Sequence, residues 1–454
     1  MNPRLTLLAL VAFNLLVKLL WLGANELAHD EPFTVYWSQR PLAEFKAMLL
    51  TENNPPLHFL ITRWWGALVP FEAAWLRVPS AMFSALAVWP LHAIARRLGG
   101  DRVALVAALL FTFSNYHYGF AHETRAYALF TLLATWGLWL VVRESGKVSI
   151  GWAAILQLAL VNALMAWTHY LGWLMIGVQL LCALMVPGLR AWRRAHPLST
   201  LITAVLFAPN AVIFLTRAST SLAHGTWLGP PVPEELYNMV WRWSNAPVVA
   251  VLMLIVIVAA VLRSPWKRAA FMAGLAWSLI PLAAIFVASQ WVPIFLDRYL
   301  VFIAPGFKLL VAAAIDALDL PARWARLTGA AAVLAMAITF GPWQTGTYRP
   351  SGVVAQVNAW CDGDCHVEVV PSWYWLNFMA ALDMNNLSID QSALLRASVF
   401  RPDSEQASAL GNYLLVDASG SAEFSELRTA LRETFTQADS AVADHRVTVY
   451  RFRN

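Results

Sequence analysis

Residues 5–32 read LTLLALVAFNLLVKLLWLGANELAHDEP. An apolar run of about twenty residues, long enough to cross the hydrocarbon of a bilayer as a helix, delivers the chain into His29-Asp30-Glu31. The turn-forming stretch Asn53-Asn54-Pro55-Pro56 follows. Charge beside hydrocarbon is costly. A chain with only 13% charged residues that sets an Asp-Glu pair there, among aromatics, uses it for chemistry.

Working outward, the 454 residues are 59% hydrophobic with a mean hydropathy of +0.56, more than a soluble core requires. The chain reads as a polytopic α-helical membrane protein, because no stretch shows the alternation of a membrane barrel. The net charge of +5 does not point to nucleic acid. Its Lys and Arg residues fall in short clusters between apolar runs: Arg96-Arg97, Arg143 with Lys147, Arg190 with Arg193 and Arg194, Arg263 with Lys267 and Arg268, and Arg323 with Arg326. That spacing is the positive-inside signature of cytoplasmic loops.

With Arg4 inside, spans are expected near 5–23, 76–95, 103–120, 125–142, 151–168, 170–187, 198–216, 247–262, 269–289, 299–316 and 327–342. These make about eleven transmembrane helices, a cytoplasmic N-terminus and an extracytoplasmic C-terminus in a plasma (inner) membrane. The run 151–186 is too long for one span and must fold back near Thr168-His169-Tyr170 on the outer face. The first segment exceeds the apolar core of a signal peptide and is read as an uncleaved helix, with Lys18 snorkelling to its edge.

Polar chemistry collects in the outer segments 24–75, 217–246 and everything after 343. Segment 31–46 interleaves Phe33, Trp37, Leu42 and Phe45 with polar residues and reads as one or two interfacial helices. The chain therefore divides into a transmembrane domain, 1–342, and a small extracytoplasmic α/β domain, 343–454. In the latter, 367–370, 413–416 and 447–452 are candidate strands and 424–435 a helix. Cys361 and Cys365 can close a local disulfide around Asp362-Gly363-Asp364, which reads as a turn. Cys182 is inert core. Trp373-Tyr374-Trp375 could stack on a sugar, but reads first as packing against the membrane domain.

The outer rim gathers Asp30, Glu31, Asn54, His58, Arg77, His122, Glu123, Arg125, Tyr127, His169, Tyr170, His224, Arg242, Asp297, Arg298 and Tyr299. Carboxylates and guanidiniums at the outer leaflet suit a phosphorylated lipid-borne substrate: the carboxylates deprotonate an acceptor and the guanidiniums hold a phosphate leaving group. Plainer readings exist for each. Asp30-Glu31 can cap a helix opened by Pro32, and Arg77 can anchor at headgroups. The stretch His122–Arg125 can be an ion-pair network, His169 can satisfy a buried carbonyl, and Asp297-Arg298 can close a loop as an internal pair.

The order His29-Asp30-Glu31, Asn54-Pro55-Pro56-Leu57, Arg77-Val78-Pro79-Ser80-Ala81, Glu123-Thr124-Arg125-Ala126-Tyr127, Thr168-His169-Tyr170, Trp227-Leu228-Gly229-Pro230-Pro231 and Arg298-Tyr299-Leu300 resembles the GT-C superfamily of membrane glycosyltransferases. Within it, the resemblance is to the group holding the dolichyl-phosphate-mannose protein mannosyltransferases (glycosyltransferase family 39) and the lipid A aminoarabinose transferase. The resemblance implies inverting transfer of a sugar from a polyprenyl-phosphate donor to a lipid, glycan or protein acceptor at the extracytoplasmic face. It implies Asp30 as general base, Glu31 beside it as orienter and Glu123 as a further catalytic carboxylate. Arg125, Arg298, Tyr299 and His169 would bind the donor phosphate, and Asn54, His58, Arg77 and Tyr127 would line the pocket.

Some members of the superfamily use a divalent ion, so His29, Asp30 and His122 are candidate ligands for Mg²⁺, Mn²⁺ or Zn²⁺; no cofactor is firmly expected. The competing class is a lipid or sugar transporter or flippase. Against it, the polar residues sit at one face and not at the midplane, and no inverted repeat is evident.

Overall fold

The pair Gly99-Gly100 shows how the chain reverses inside a hydrophobic run. Gly100 adopts φ +85° and ψ −179° within Val88–Thr112, a backbone state open to a residue without Cβ, and it splits that stretch into two helices. Arg96 pairs with Asp101 across the break at 2.6 Å. This is the turn expected between spans 76–95 and 103–120. The second span ends earlier than expected, at Thr112, and a separate helix, Asn115–Ala121, follows.

The computed structural model describes residues 3–224, 228–342, 348–361, 365–384, 394–395, 412–419, 424–444 and 446–454. Two compact units form: one from 1–20, 41–61 and 77–342, the other from 21–40, 62–76 and 343–454. The division therefore differs from the simple cut at 342, because two stretches of the first outer loop cluster with the C-terminal residues.

The first unit is helical. Tyr127–Val142, Trp152–Thr168 and Gly172–Met185 match the expected spans, with the reversal at His169–Leu171. The expected span 198–216 lies inside one long helix, Trp192–His224. The stretch 299–316 opens on a short 3-10 turn, Asp297–Leu300, before the helix Ala304–Ala317. By length and composition, three helical stretches among the described residues are able to cross a membrane: Ala73–Thr112, Trp192–Ala223 and Ala269–Ala288. A fourth is counted if Glu234–Trp243 and Pro247–Val261, bent by 97°, form one span.

Small residues let helices approach closely where lipid offers no hydrophobic drive. A Cβ on Gly274 would lie 2.7 Å from backbone atoms of Leu310, and one on Gly306 would lie 2.8 Å from the Trp277 carbonyl carbon. These two glycines set the contact between helices Ala269–Trp277 and Ala304–Ala317. Lys18 does not snorkel. It is fully buried, with its ammonium over the rings of Phe111 and Tyr118 at 5.9 and 5.6 Å, because these aromatic faces enclose it before it can reach the helix end.

The second unit carries a five-stranded sheet: β1 (His366–Val370), β2 (Leu394–Leu395), β3 (Asn412–Asp417), β4 (Gln437–Asp444) and β5 (Val447–Arg453), in the order β2-β1-β3-β5-β4. β1 runs parallel to β2 and β3, and β5 is antiparallel to β3 and β4. Alternation divides the core between the two faces. Val367, Val369, Leu414 and Val416 pack with Val353, Val357 and Phe378 from helices Pro350–Trp360 and Trp375–Met384. On the other face Tyr413, Leu415 and Phe452 pack with Leu427 and Leu431 of helix Ser425–Thr434.

Cys361 and Cys365 form the expected disulfide, with Cα atoms 5.5 Å apart; the turn 362–364 between them lies outside the described residues. The expected interfacial segment 31–46 breaks at Arg40-Pro41 into helices Glu31–Gln39 and Leu42–Leu49, since the residue before proline is driven to extended backbone.

Candidate active site

In the second unit, Pro32 opens the helix Glu31–Gln39 and Asp30 stands at its N-cap. The plain reading of Asp30 as a capping side chain fails: its carboxylate makes no capping hydrogen bond, and the first turn is closed by its backbone carbonyl, which accepts from Thr34 N at 3.3 Å. Glu31 is buried and folds back to accept the Ala28 N–H at 3.4 Å. His29 sits at φ +56°, an uncommon state for a side-chain-bearing residue. Its carbonyl accepts from Asn377 Nδ2 at 3.0 Å, which ties the start of this helix to the C-terminal part of the same unit.

In the first unit, three chain reversals converge. Pro55-Pro56 starts the helix Leu57–Gly66 that carries His58, the turn 122–126 carries Arg125, and the reversal at 169–171 carries His169. His58, Arg125 and His169 are all buried. Burial first, and then the neighbouring Arg125 guanidinium, hold the His58 and His169 imidazoles down to about 3, so both are neutral at physiological pH.

His169 Nδ1 accepts the Leu171 N–H at 3.2 Å, which assigns the proton to Nε2. That Nε2 is buried with no hydrogen-bond partner among the described residues. The ring stacks on Phe130 at 4.9 Å and lies 6.2 Å from Tyr127 and 5.4 Å from Tyr299. Arg125 lies over the Tyr127 ring at 5.9 Å. The first unit thus brings together His58, Arg125, Tyr127, His169 and Tyr299: a cation, a neutral N–H donor and aromatic walls.

The other candidates divide. Arg77 is buried, and its charge, after burial, helps hold His122 down to about 4 against the opposing hydrogen bond to Lys18. His122 Nε2 lies 2.9 Å from the Lys18 carbonyl, a structural role. Glu123 is half-buried in the same turn. Asn54 spends its backbone N–H and amide on Glu52, at 3.1 and 2.5 Å, so it fixes its own turn.

Asp297 accepts the Arg298 N–H at 2.7 Å and pairs with Arg242 at 3.8 Å, while its carbonyl accepts from Tyr116. Trp227 lies outside the described residues. Sequence reading missed Phe130, which the (i, i+3) spacing from Tyr127 on one helix face would have shown. It also missed Arg217, which grips Asn53 at 2.9 Å and carries no local signal.

Among the described residues, no three His, Cys, Asp or Glu side chains gather as a cation site. His29 and Asp30 belong to one unit and His122 to the other. Of the three candidate ligands, His122 has its Nε2 2.9 Å from the Lys18 carbonyl.

The chain is similar to known proteins in one stretch of its sequence and in its fold. The profile of the dolichyl-phosphate-mannose-protein mannosyltransferase family matches residues 53–213. The fold matches ArnT from Cupriavidus metallidurans with a TM-score of 0.64 at 16% identity, over 99% of this chain and 98% of that one. It also matches the AglB oligosaccharyltransferase of Archaeoglobus fulgidus at 0.57 and 11%, over 93% and 71%. The mycobacterial arabinofuranosyltransferase AftD matches at 0.53 and 16%, over 99% of this chain and 42% of that one. No curated protein matches the sequence. The chain therefore shares the fold of these three solved structures, in keeping with the resemblance that the motif order carries.

Proposed function

We propose that the protein transfers a sugar from a polyprenyl-phosphate donor to an acceptor hydroxyl or amine, with inversion, at the extracytoplasmic face of a plasma (inner) membrane that it crosses about eleven times. Asp30 takes the acceptor proton as the new bond to the sugar C1 forms. The C1–O bond to phosphate breaks, and polyprenyl phosphate leaves with the electron pair. Glu31 orients the start of its helix, and Glu123 is the further carboxylate. Arg125, Arg298, Tyr299 and His169 hold the phosphate, with His58, Arg77, Asn54 and Tyr127 shaping the pocket. No step is routed through a metal.

One observation carries the reading: a buried, neutral His169 whose Nε2–H has no hydrogen-bond partner among the described residues stands beside Arg125. A phosphate oxygen accepts from the Nε2–H while its charge faces the guanidinium. Support comes from the neighbours, since ArnT has been seen with undecaprenyl phosphate and AglB with dolichol-phosphate and an inhibitory peptide.

The test is transfer of radiolabelled sugar from a panel of polyprenyl-phosphate sugars by wild type and Asp30→Asn in nanodiscs. Turnover by wild type alone is expected. No turnover with any donor, alongside movement of lipid between leaflets, would replace the enzyme with a transporter.

A further inference from the structure

The second unit contains a cavity of about 370 Å³ that no step above uses. Its walls include His29, Tyr348, Trp373, Tyr374, Asn377 and Asp444, all from one compact unit. A volume of this size falls in the range of small-ligand sites.

Its lining is of two kinds. The His29 and Tyr348 rings meet edge to face at 4.3 Å, and Trp373 and Tyr374 meet likewise at 5.7 Å. Trp373 is 54% exposed. A large apolar ring left half in water at the rim of a cavity is a platform waiting for a partner.

The polar lining is pre-set. Asn377 is 1% exposed and Tyr374 5%, yet the Asn377 Oδ1 and the Tyr374 hydroxyl have no hydrogen-bond partner among the described residues. The Asn377 amide cannot be turned over to relieve this. Its Nδ2 already donates to the His29 carbonyl at 3.0 Å, so Oδ1 remains an acceptor facing no donor. Burial, then the carboxylates of Asp444 and Glu26, push the Tyr374 phenol above its usual range, so it stays protonated. Asp444 is itself steadied by the Arg349 N–H at 3.0 Å. Buried polar atoms without partners are rare and costly.

A lipid tail would leave both buried polar atoms unmet, and a phosphate, though it could reach the exposed Arg446 at the wall, would set its charge beside Asp444 and bring no donor to Asn377 Oδ1. A saccharide meets the whole set: its C–H face lies on an aromatic ring while hydroxyls donate to Asn377 Oδ1 and Asp444 and accept from Tyr374. We infer that this cavity binds a sugar residue of a glycan acceptor, placing that acceptor on the segment whose next residue is Asp30. Its role as an acceptor site rests on the transferase reading; saccharide binding does not.

The test is a glycan array probed with fluorescently labelled full-length protein in nanodiscs, without donor, using wild type, Trp373→Ala and Asn377→Ala. Donor turnover is assayed in parallel. Wild type is expected to select a subset of glycans, with affinity falling about tenfold in Trp373→Ala from loss of ring stacking and by at least as much in Asn377→Ala. Trp373 is half-exposed, so its variant should keep the wild-type unfolding midpoint. Donor turnover without glycan binding, or binding of peptides in place of glycans, would overturn the cavity assignment alone. Glycan binding lost in Trp373→Ala with no donor turnover would retain the saccharide site and remove the transferase reading.

Discussion

The Nδ1 atom of His169 accepts the Leu171 N–H at 3.2 Å, and this one bond decides what the other ring nitrogen offers. Burial and Arg125 keep the imidazole neutral. Its single proton is therefore displayed from Nε2, beside a guanidinium, where an anion gains a neutral and a charged donor together.

Replacing that donor should weaken carrier binding more than it disturbs the fold. In His169→Ala, affinity for undecaprenyl phosphate in nanodiscs should fall roughly ten- to a hundredfold, the worth of a hydrogen bond to a charged group. His169→Gln, which keeps an N–H, should recover part of the loss. Wild-type affinity in His169→Ala would remove the histidine from the phosphate site.

Asp30→Asn should cut turnover about a hundred- to ten-thousandfold, because the amide keeps the shape but accepts no proton. The substitution keeps the size and shape of the side chain, so the unfolding midpoint should change little beside the loss of turnover. A matching loss of stability would make Asp30 structural.

Acid should destabilise the first unit through its buried histidines. With folded values of about 3 for His58 and His169 against about 6.5 unfolded, the unfolded state binds protons that the native state refuses between those limits. Stability is then full above about pH 6.5 and declines as pH falls toward 3. Thermal unfolding of wild type and of a His58→Gln, His169→Gln double variant should show a shallower acid decline in the variant; equal slopes would contradict the assignment.

Gly274→Leu should separate two helices. The added side chain starts 2.7 Å from Leu310 backbone, and backbone cannot swing aside as a side-chain tip can, so a loss of about 1–3 kcal/mol is expected. Gly177→Leu, where a Cβ would meet nothing within 4 Å, is the control. Comparable unfolding midpoints for the two variants would refute the close-approach argument.

Chelation should leave transfer within about twofold of untreated protein, because the proposed donor-phosphate site uses arginine, histidine and tyrosine and draws on no acidic ligand set. A large loss restored by Mg²⁺ or Mn²⁺ would overturn this expectation and point to ligands beyond those found among the described residues.

Local chemistry is enough to make this chain helical and apolar and to set most of its turns. Apolar run length, the turn between 95 and 103 and the reversal at His169 are local properties, and so are the strands 367–370, 413–416 and 447–452 and the Cys361–Cys365 bridge. Local patterning also listed the site residues, since charge beside hydrocarbon stands out in composition alone. Which of them meet is a matter of long-range packing. Packing separates His169, whose Nε2–H has no partner among the described residues, from His122, tied to the Lys18 carbonyl, although both are histidines at span ends. It encloses Lys18 in aromatic rings, and it groups 21–40 and 62–76 with the C-terminal residues. Such outcomes depend on contacts between segments far apart in the chain, whose packing and desolvation no local periodicity encodes.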